Sequence, residues 1–172
     1  MDKLDIVTDE SGNEVVLLPE IIFSNKQNIN WNDVEDYLGK YVGELIEIAE
    51  TRDIIYIGNK FPDEYGGSSY TRKTKGARAK AKANAAQGIR EMVEIATDKV
   101  YRENHKEKHS EDAHNGWFYY VTRFAIPLYN NEKKTGEYNV YSACLVVNHA
   151  ANGKMYLYDV VGIKKEASNP LK

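Results

Sequence analysis

The sequence predicts an α+β fold, with helices packed on an antiparallel sheet of four or more strands and an N-terminal hairpin-plus-helix extension. Three observations carry that expectation. Three strand-like runs joined by turn signals fill the last third of the chain, an alanine- and lysine-rich stretch fills the middle, and a hairpin pattern followed by helical spacing fills the start.

In order, Leu4 to Val7 and Glu14 to Leu18 flank the turn-rich DESGN, which predicts a hairpin over 4–18, closed by Pro19. Val34, Tyr37, Leu38, Tyr41, Leu45 and Ile48 then recur every three or four residues. This spacing predicts one amphipathic helix from about Trp31 to Thr51, capped by Asn30 or Asn32 with Asp33 and Glu35 in its first turn. Asp53 to Gly58 reads as a short strand, and NKFPDEYGGSS (59–69) as a flexible joint. Residues 71–98 are rich in strong helix formers and predict a helix that Gly88 kinks or divides. On it, Ala77, Ala81 and Ala85 form a small-residue face, while Lys75, Arg78 and Lys82 form a cationic strip. Trp117 to Leu128, Tyr138 to Asn148 and Lys154 to Lys164 predict an antiparallel meander. Its first connection is a long loop, NNEKKTGE, and its second a tight Asn152-Gly153 turn.

The 172 residues suffice for one compact domain or one domain with an accessory piece; the expected division is 1–52, an acidic extension, and 53–172, the α+β body. A single cysteine, Cys144, excludes an intramolecular disulfide and multi-cysteine zinc sites. No apolar run approaches a membrane span, and the acidic start MDKLDIVTDESG lacks the pattern of a secretory signal. A cytoplasmic setting without membrane association is therefore the expectation. The net charge of −3 hides an asymmetry. Residues 1–69 carry 15 acids against 5 bases, residues 70–172 carry 11 acids against 18 bases, and Tyr70 to Arg90 holds seven bases and no acid. Such a division suits a polyanion-binding body with an acidic arm, or two halves that simply attract each other.

RENHKEKHSEDAHNGW, residues 102–117, gathers three histidines with acids and bases. His105 and His109, four apart, with Asp112 or His114, have spacing that zinc would accept, but Lys106 and Lys108 oppose a dication; neither metal nor cofactor is expected. The stretch reads equally as a solvated connection between helix and strand. A third reading is metal-free RNA cleavage, in which histidines trade protons with the ribose 2′-OH and the leaving 5′-oxygen while cations hold the phosphorane. Strand alternation would put Phe118, Tyr120, Phe124 and Ile126 in the core, and Trp117, Tyr119, Val121 and Arg123 on the other side. There Trp117 and Tyr119 would stack RNA bases beside Arg123, or form part of a second core under the N-terminal region.

Lys108-His109 with Asp112-Ala113, then Gly116-Trp117, Tyr120, Arg123-Phe124-Ala125, Pro127, Tyr158-Asp159 and Ile163-Lys164-Lys165 together resemble the phage- and mobile-element-associated nucleases of the barnase/EndoU/colicin/RelE-like superfamily. The resemblance covers residues 53–169. It implies helices on a four-stranded antiparallel sheet and metal-independent endoribonuclease chemistry in a bacterial host, by 2′-OH transesterification of transfer or messenger RNA. Carried onto this chain, it makes His109 the proton-transfer group and Lys108 and Arg123 phosphate binders. Tyr120 or Tyr141 would orient phosphate or histidine, and Lys80 and Lys82 would contact the RNA backbone. His105 and His114 fall outside the pattern, which leaves a second proton-transfer group unassigned. The alternative implied by the same fold is an inactive nucleic-acid- or protein-binding module, such as a phage anti-defence inhibitor. The acidic N-terminal helix would then suit a protein partner or an immunity protein.

Overall fold

The computed structural model describes residues 3–24, 28–103 and 115–166 and shows an α+β chain built on one mixed sheet. Its centre is the antiparallel meander β6 (Trp117–Asn130), β7 (Lys133–His149) and β8 (Met155–Lys165). The first connection is tighter than the sequence suggested. Asn131 and Glu132 take φ of 51° and 66°, so a two-residue turn of the kind that matches strand twist replaces the expected long loop, and Lys133 onward pairs. The second turn matches expectation: Gly153 has φ 84°, and Asn152 Oδ1 accepts the Lys154 amide at 2.9 Å.

Two hairpins extend this meander, and both join it in parallel. β1 (Ile6–Thr8) and β2 (Glu14–Leu17) form the predicted hairpin, and Val16 and Leu17 then lie alongside Phe124 and Ala125 of β6. On the far side, β3 (Leu45–Glu47) pairs with β4 (Ile54–Tyr56), which runs parallel to β8 at Met155 and Tyr156. β5 (Thr97–Arg102) shares the β2 edge of β6. The sheet thus has eight strands rather than a purely antiparallel four.

The helices differ from expectation in three places. The predicted 31–51 helix ends at Leu38: α1 spans Trp31–Leu38, with Asn30 Oδ1 accepting the Asn32 amide at 3.1 Å, and a short 3-10 turn over Gly39–Tyr41 follows. Gly39 and Gly43 break the helix, and Ile46 and Ile48 are buried by strand alternation. The expected flexible joint is instead α2 (Phe61–Gly67), with Pro62 and the acids Asp63 and Glu64 in its first turn. Its Gly66 lets α1 approach, since a Cβ there would lie 2.6 Å from Glu35 Cγ. The long helix over 71–98 is divided into α3 (Ser69–Lys73), α4 (Ala77–Ala85), a 3-10 turn over Ala86–Gly88, and α5 (Ile89–Glu94). Division at Gly88 is as predicted, because its bare backbone packs where a Cβ would meet Leu18 at 3.1 Å and Val16 at 3.3 Å.

α4 is the central helix. Ala79, Ala81, Ala83, Ala85 and Ala86 are all buried, and the last four join Ile89, Met92 and Val93 in the core against the sheet. The same continuous core takes Val16, Leu18, Val34, Leu38, Tyr41, Ile46 and Ile48 from the first fifty residues. The expected division at residue 52 therefore marks no break in the core.

Candidate nucleic-acid interface

The α3–α4 elbow gathers several exposed cations. Ser68 caps α3 by accepting the Thr71 amide at 3.1 Å, and the Tyr70 hydroxyl accepts the Ile163 amide at 2.9 Å, tying the elbow to β8. Gly76, with φ 62° and ψ −134°, turns the chain into α4. Lys73, Lys75 and Arg78 are exposed, with Tyr70, Thr74 and Ala77 around a shallow groove of about 450 Å³. Lys80 lies half-buried one turn on. Among the described residues, Lys73, Lys75, Arg78 and Lys80 have no ion-pair partner. Arg72 donates to the Gly67 carbonyl at 3.0 Å.

Lys82, expected on this cationic strip, is a correction: its side chain is 0% exposed. One helical turn beyond Arg78, it points into the core. Its Nζ donates to Asp159 Oδ1 and to Thr71 Oγ1, each at 2.6 Å, and sits 4.6 Å and 5.0 Å from the ring centres of Tyr65 and Tyr70. Burial pushes the ammonium below the usual lysine range against the pull of Asp159, and burial pushes the Asp159 carboxyl up against the pull of Lys82. Lys82 thus anchors α4 to β8 and has no surface to offer RNA.

The aromatic alternation of β6 is as predicted, but its outer face is largely occupied. Trp117 packs edge-on to Tyr158 at 5.0 Å in a small cluster with Val146, Tyr119 and Val161. Arg102 lies over the Tyr119 ring at 5.8 Å. The cluster is a second small core, but not the one expected under the N-terminal region. It lies on the sheet's outer face and includes no residue of the N-terminal segment. Arg123 is ion-paired through Nε with Glu166 at 3.0 Å.

Tyr120 and Tyr141, expected to orient the phosphate or the histidine, face the side of the sheet opposite Arg123. The Tyr120 hydroxyl donates to Asp53 Oδ2 at 2.7 Å, which also pairs with Lys99 at 2.8 Å; burial and then Asp53 hold the phenol well above its usual range. Tyr141 stacks on Phe124 with ring centres 5.5 Å apart, and its burial likewise raises the phenol. Arg123, Tyr120 and Tyr141 therefore do not converge on one phosphate. Lys108 and His109, with His105, Asp112 and His114, lie outside the described residues. Arg102 and Trp117, which flank that interval, are register partners at one end of the sheet. The basic elbow touches β8 at Ile163, whereas Asn115 donates to the Ala150 carbonyl at 2.8 Å, just before β8 begins. The stretch of β8 between them spans roughly 26 Å at the strand rise.

Sequence reasoning missed the interior role of Lys82, because its partner Asp159 lies 77 residues away. It also missed β5, hidden by the helix-forming composition before it. Among the described residues no cluster of three or more His, Cys, Asp or Glu could hold a metal, and no helix is long and apolar enough to cross a membrane. Comparison of the chain with family models, with curated proteins and with solved structures finds no match.

Proposed function

We propose that this chain binds RNA through the α3–α4 elbow. The observation that carries the reading is the cluster of Lys73, Lys75 and Arg78, exposed around one groove and without an ion-pair partner among the described residues. A phosphate backbone is the natural counter-charge for such a strip, and displaced counterions would drive the association. Lys75→Glu with Arg78→Glu should weaken binding of a labelled single-stranded RNA. The log–log salt slope should fall by about 1.4, at about 0.7 per lost phosphate contact. Fluorescence anisotropy across a salt series reads both, and an unchanged affinity and slope would overturn the proposal.

A second reading adds cleavage. It is favoured by the resemblance over residues 53–169, and by the pairing of Arg102 with Trp117, which starts and ends the histidine-bearing interval at one end of the sheet. On this reading the chain is a metal-independent endoribonuclease of barnase/RelE-like kinship from a phage or mobile element, acting in the bacterial cytoplasm. His109 moves the proton and Lys108 stabilises the phosphorane. Purified protein should then degrade total RNA in the presence of a chelator, and His109→Ala should abolish this while leaving the thermal transition intact. RNA that is bound and left whole would point to the inactive binding module of the same fold.

A further inference from the structure

A second cavity, of about 280 Å³, lies beside the hairpin that joins β7 to β8, walled by the Gly58–Phe61 segment that enters α2 and by Glu64. Asn148 forms part of it. This residue is register-paired with Trp117 on one side and Tyr156 on the other, and is only 7% exposed. Yet its side-chain Oδ1 accepts no hydrogen bond. A buried carbonyl without a donor costs about 1–3 kcal/mol, and a fold retains few of them. Beside it stand Tyr156 and Tyr158, each braced by another ring: Tyr56 lies 5.6 Å from Tyr156, and Trp117 lies 5.0 Å from Tyr158. Gly58 keeps the wall close, since a Cβ there would lie 3.3 Å from the Tyr156 ring.

We infer that this cavity receives one nucleobase, which stacks against Tyr156 or Tyr158 and, on rotation of the Asn148 side chain to bring its buried Oδ1 into the cavity, donates an edge N–H to that oxygen. The inference rests on the RNA reading and deepens it, by adding a base-reading pocket to a backbone-binding elbow. Size supports a single base: the volume of about 280 Å³ lies just below the usual range of ligand cavities, too small for several linked residues. Chemistry supports a base, because every base carries an N–H edge for the carbonyl acceptor and a π face for the tyrosines, while the charged wall residues Lys60 and Glu64 are of opposite sign and favour no anion. The pocket also adjoins Asn115, whose side chain donates to the Ala150 carbonyl in the pocket wall.

The test titrates the isotope-labelled full chain with each of the four ribonucleoside 5′-monophosphates, and with ribose 5-phosphate as the base-free control. At least one nucleotide should shift the Asn148 side-chain amide resonance, and ribose 5-phosphate should not. Asn148→Leu should weaken that nucleotide about tenfold or more while keeping or raising the melting temperature, because it removes an unsatisfied group. Should Asn148→Leu fail to fold, Tyr156→Leu takes its place, with the same loss expected. The Lys75→Glu/Arg78→Glu chain should bind the mononucleotide as the wild type does, which separates the pocket from the elbow. Long RNA bound with a steep salt slope, but no nucleotide response at Asn148, would sink the pocket and spare the elbow. An equal response to ribose 5-phosphate would sink it too.

Discussion

Lys82 and Asp159 form a buried ion pair whose interior charges are matched. The ammonium has two oxygen acceptors at 2.6 Å and two aromatic faces, and Asp159 Oδ1 also accepts the Val160 amide at 2.8 Å. Taking both ions from water nearly cancels their attraction, so the pair's net worth is small, but breaking it is costly. Lys82→Met should destabilise the protein by about 3–5 kcal/mol, and adding Asp159→Leu should restore much of that. Urea denaturation of the two variants checks this, and equal stabilities of the single and double variants would contradict it. Asp53 gives the pH dependence. Burial raises its carboxyl, but hydrogen bonds from Lys99, Tyr120 and Thr51 outweigh this and leave it lowered. A depressed folded value means stability that is present above the ordinary aspartate range and lost as pH falls through that folded value. Tyr120→Phe should shrink this acid-side loss, measured as unfolding free energy against pH. At this scale the sequence was legible where side chains alternate, as at Tyr120, Phe124 and Ile126, and illegible where a residue's role depends on a distant partner, as at Lys82.

At the scale of elements, strands were easier to read than helices. β6, β7 and β8 announce themselves by aromatic and branched residues, and their ends shift by a few positions. The helix expected over 31–51 failed because its positions satisfy two periods at once. Ile48 fits both the helical series and the Ile46–Ile48 alternation, and Gly39 with Gly43 decides between them. α2 went unread because PDEYGG looks like a turn, whereas burial of Phe61 and Tyr65 makes it a helix. The α3–α4 elbow depends on one such local detail. Gly76 holds a backbone conformation that other residues adopt at a cost of about 1–3 kcal/mol. Gly76→Ala should lower the melting temperature and, by re-aiming Lys75 and Arg78, weaken RNA binding without altering mononucleotide binding. Calorimetry and the anisotropy series read the two effects.

For the whole molecule, the charge division between halves proves partly internal. Glu44 pairs with Arg90 and Asp53 with Lys99, so acids of the first part meet bases of the second. Among the described residues the exposed cations outside these pairs include Lys133, Lys134, Lys154, Lys164 and Lys165, but the elbow is where three of them, Lys73, Lys75 and Arg78, line one groove. The first fifty residues cannot act as a detachable arm, because Val16, Leu18, Val34, Leu38, Tyr41, Ile46 and Ile48 lie in the shared core. Deleting residues 1–50 should abolish the cooperative thermal transition seen for the full chain; a truncated chain that still melts sharply would show the body folding alone.

The two parallel joins set the order of assembly. β2 waits for Phe124 and β4 for Met155, each on the order of a hundred residues further along. Two early hairpins must therefore stay unzipped on one edge while most of the polypeptide is still being made, and only the last strand closes the structure around α4. Such distant closures are slow. The basic elbow thus acquires the support of Ile163 only after β8 has left the ribosome.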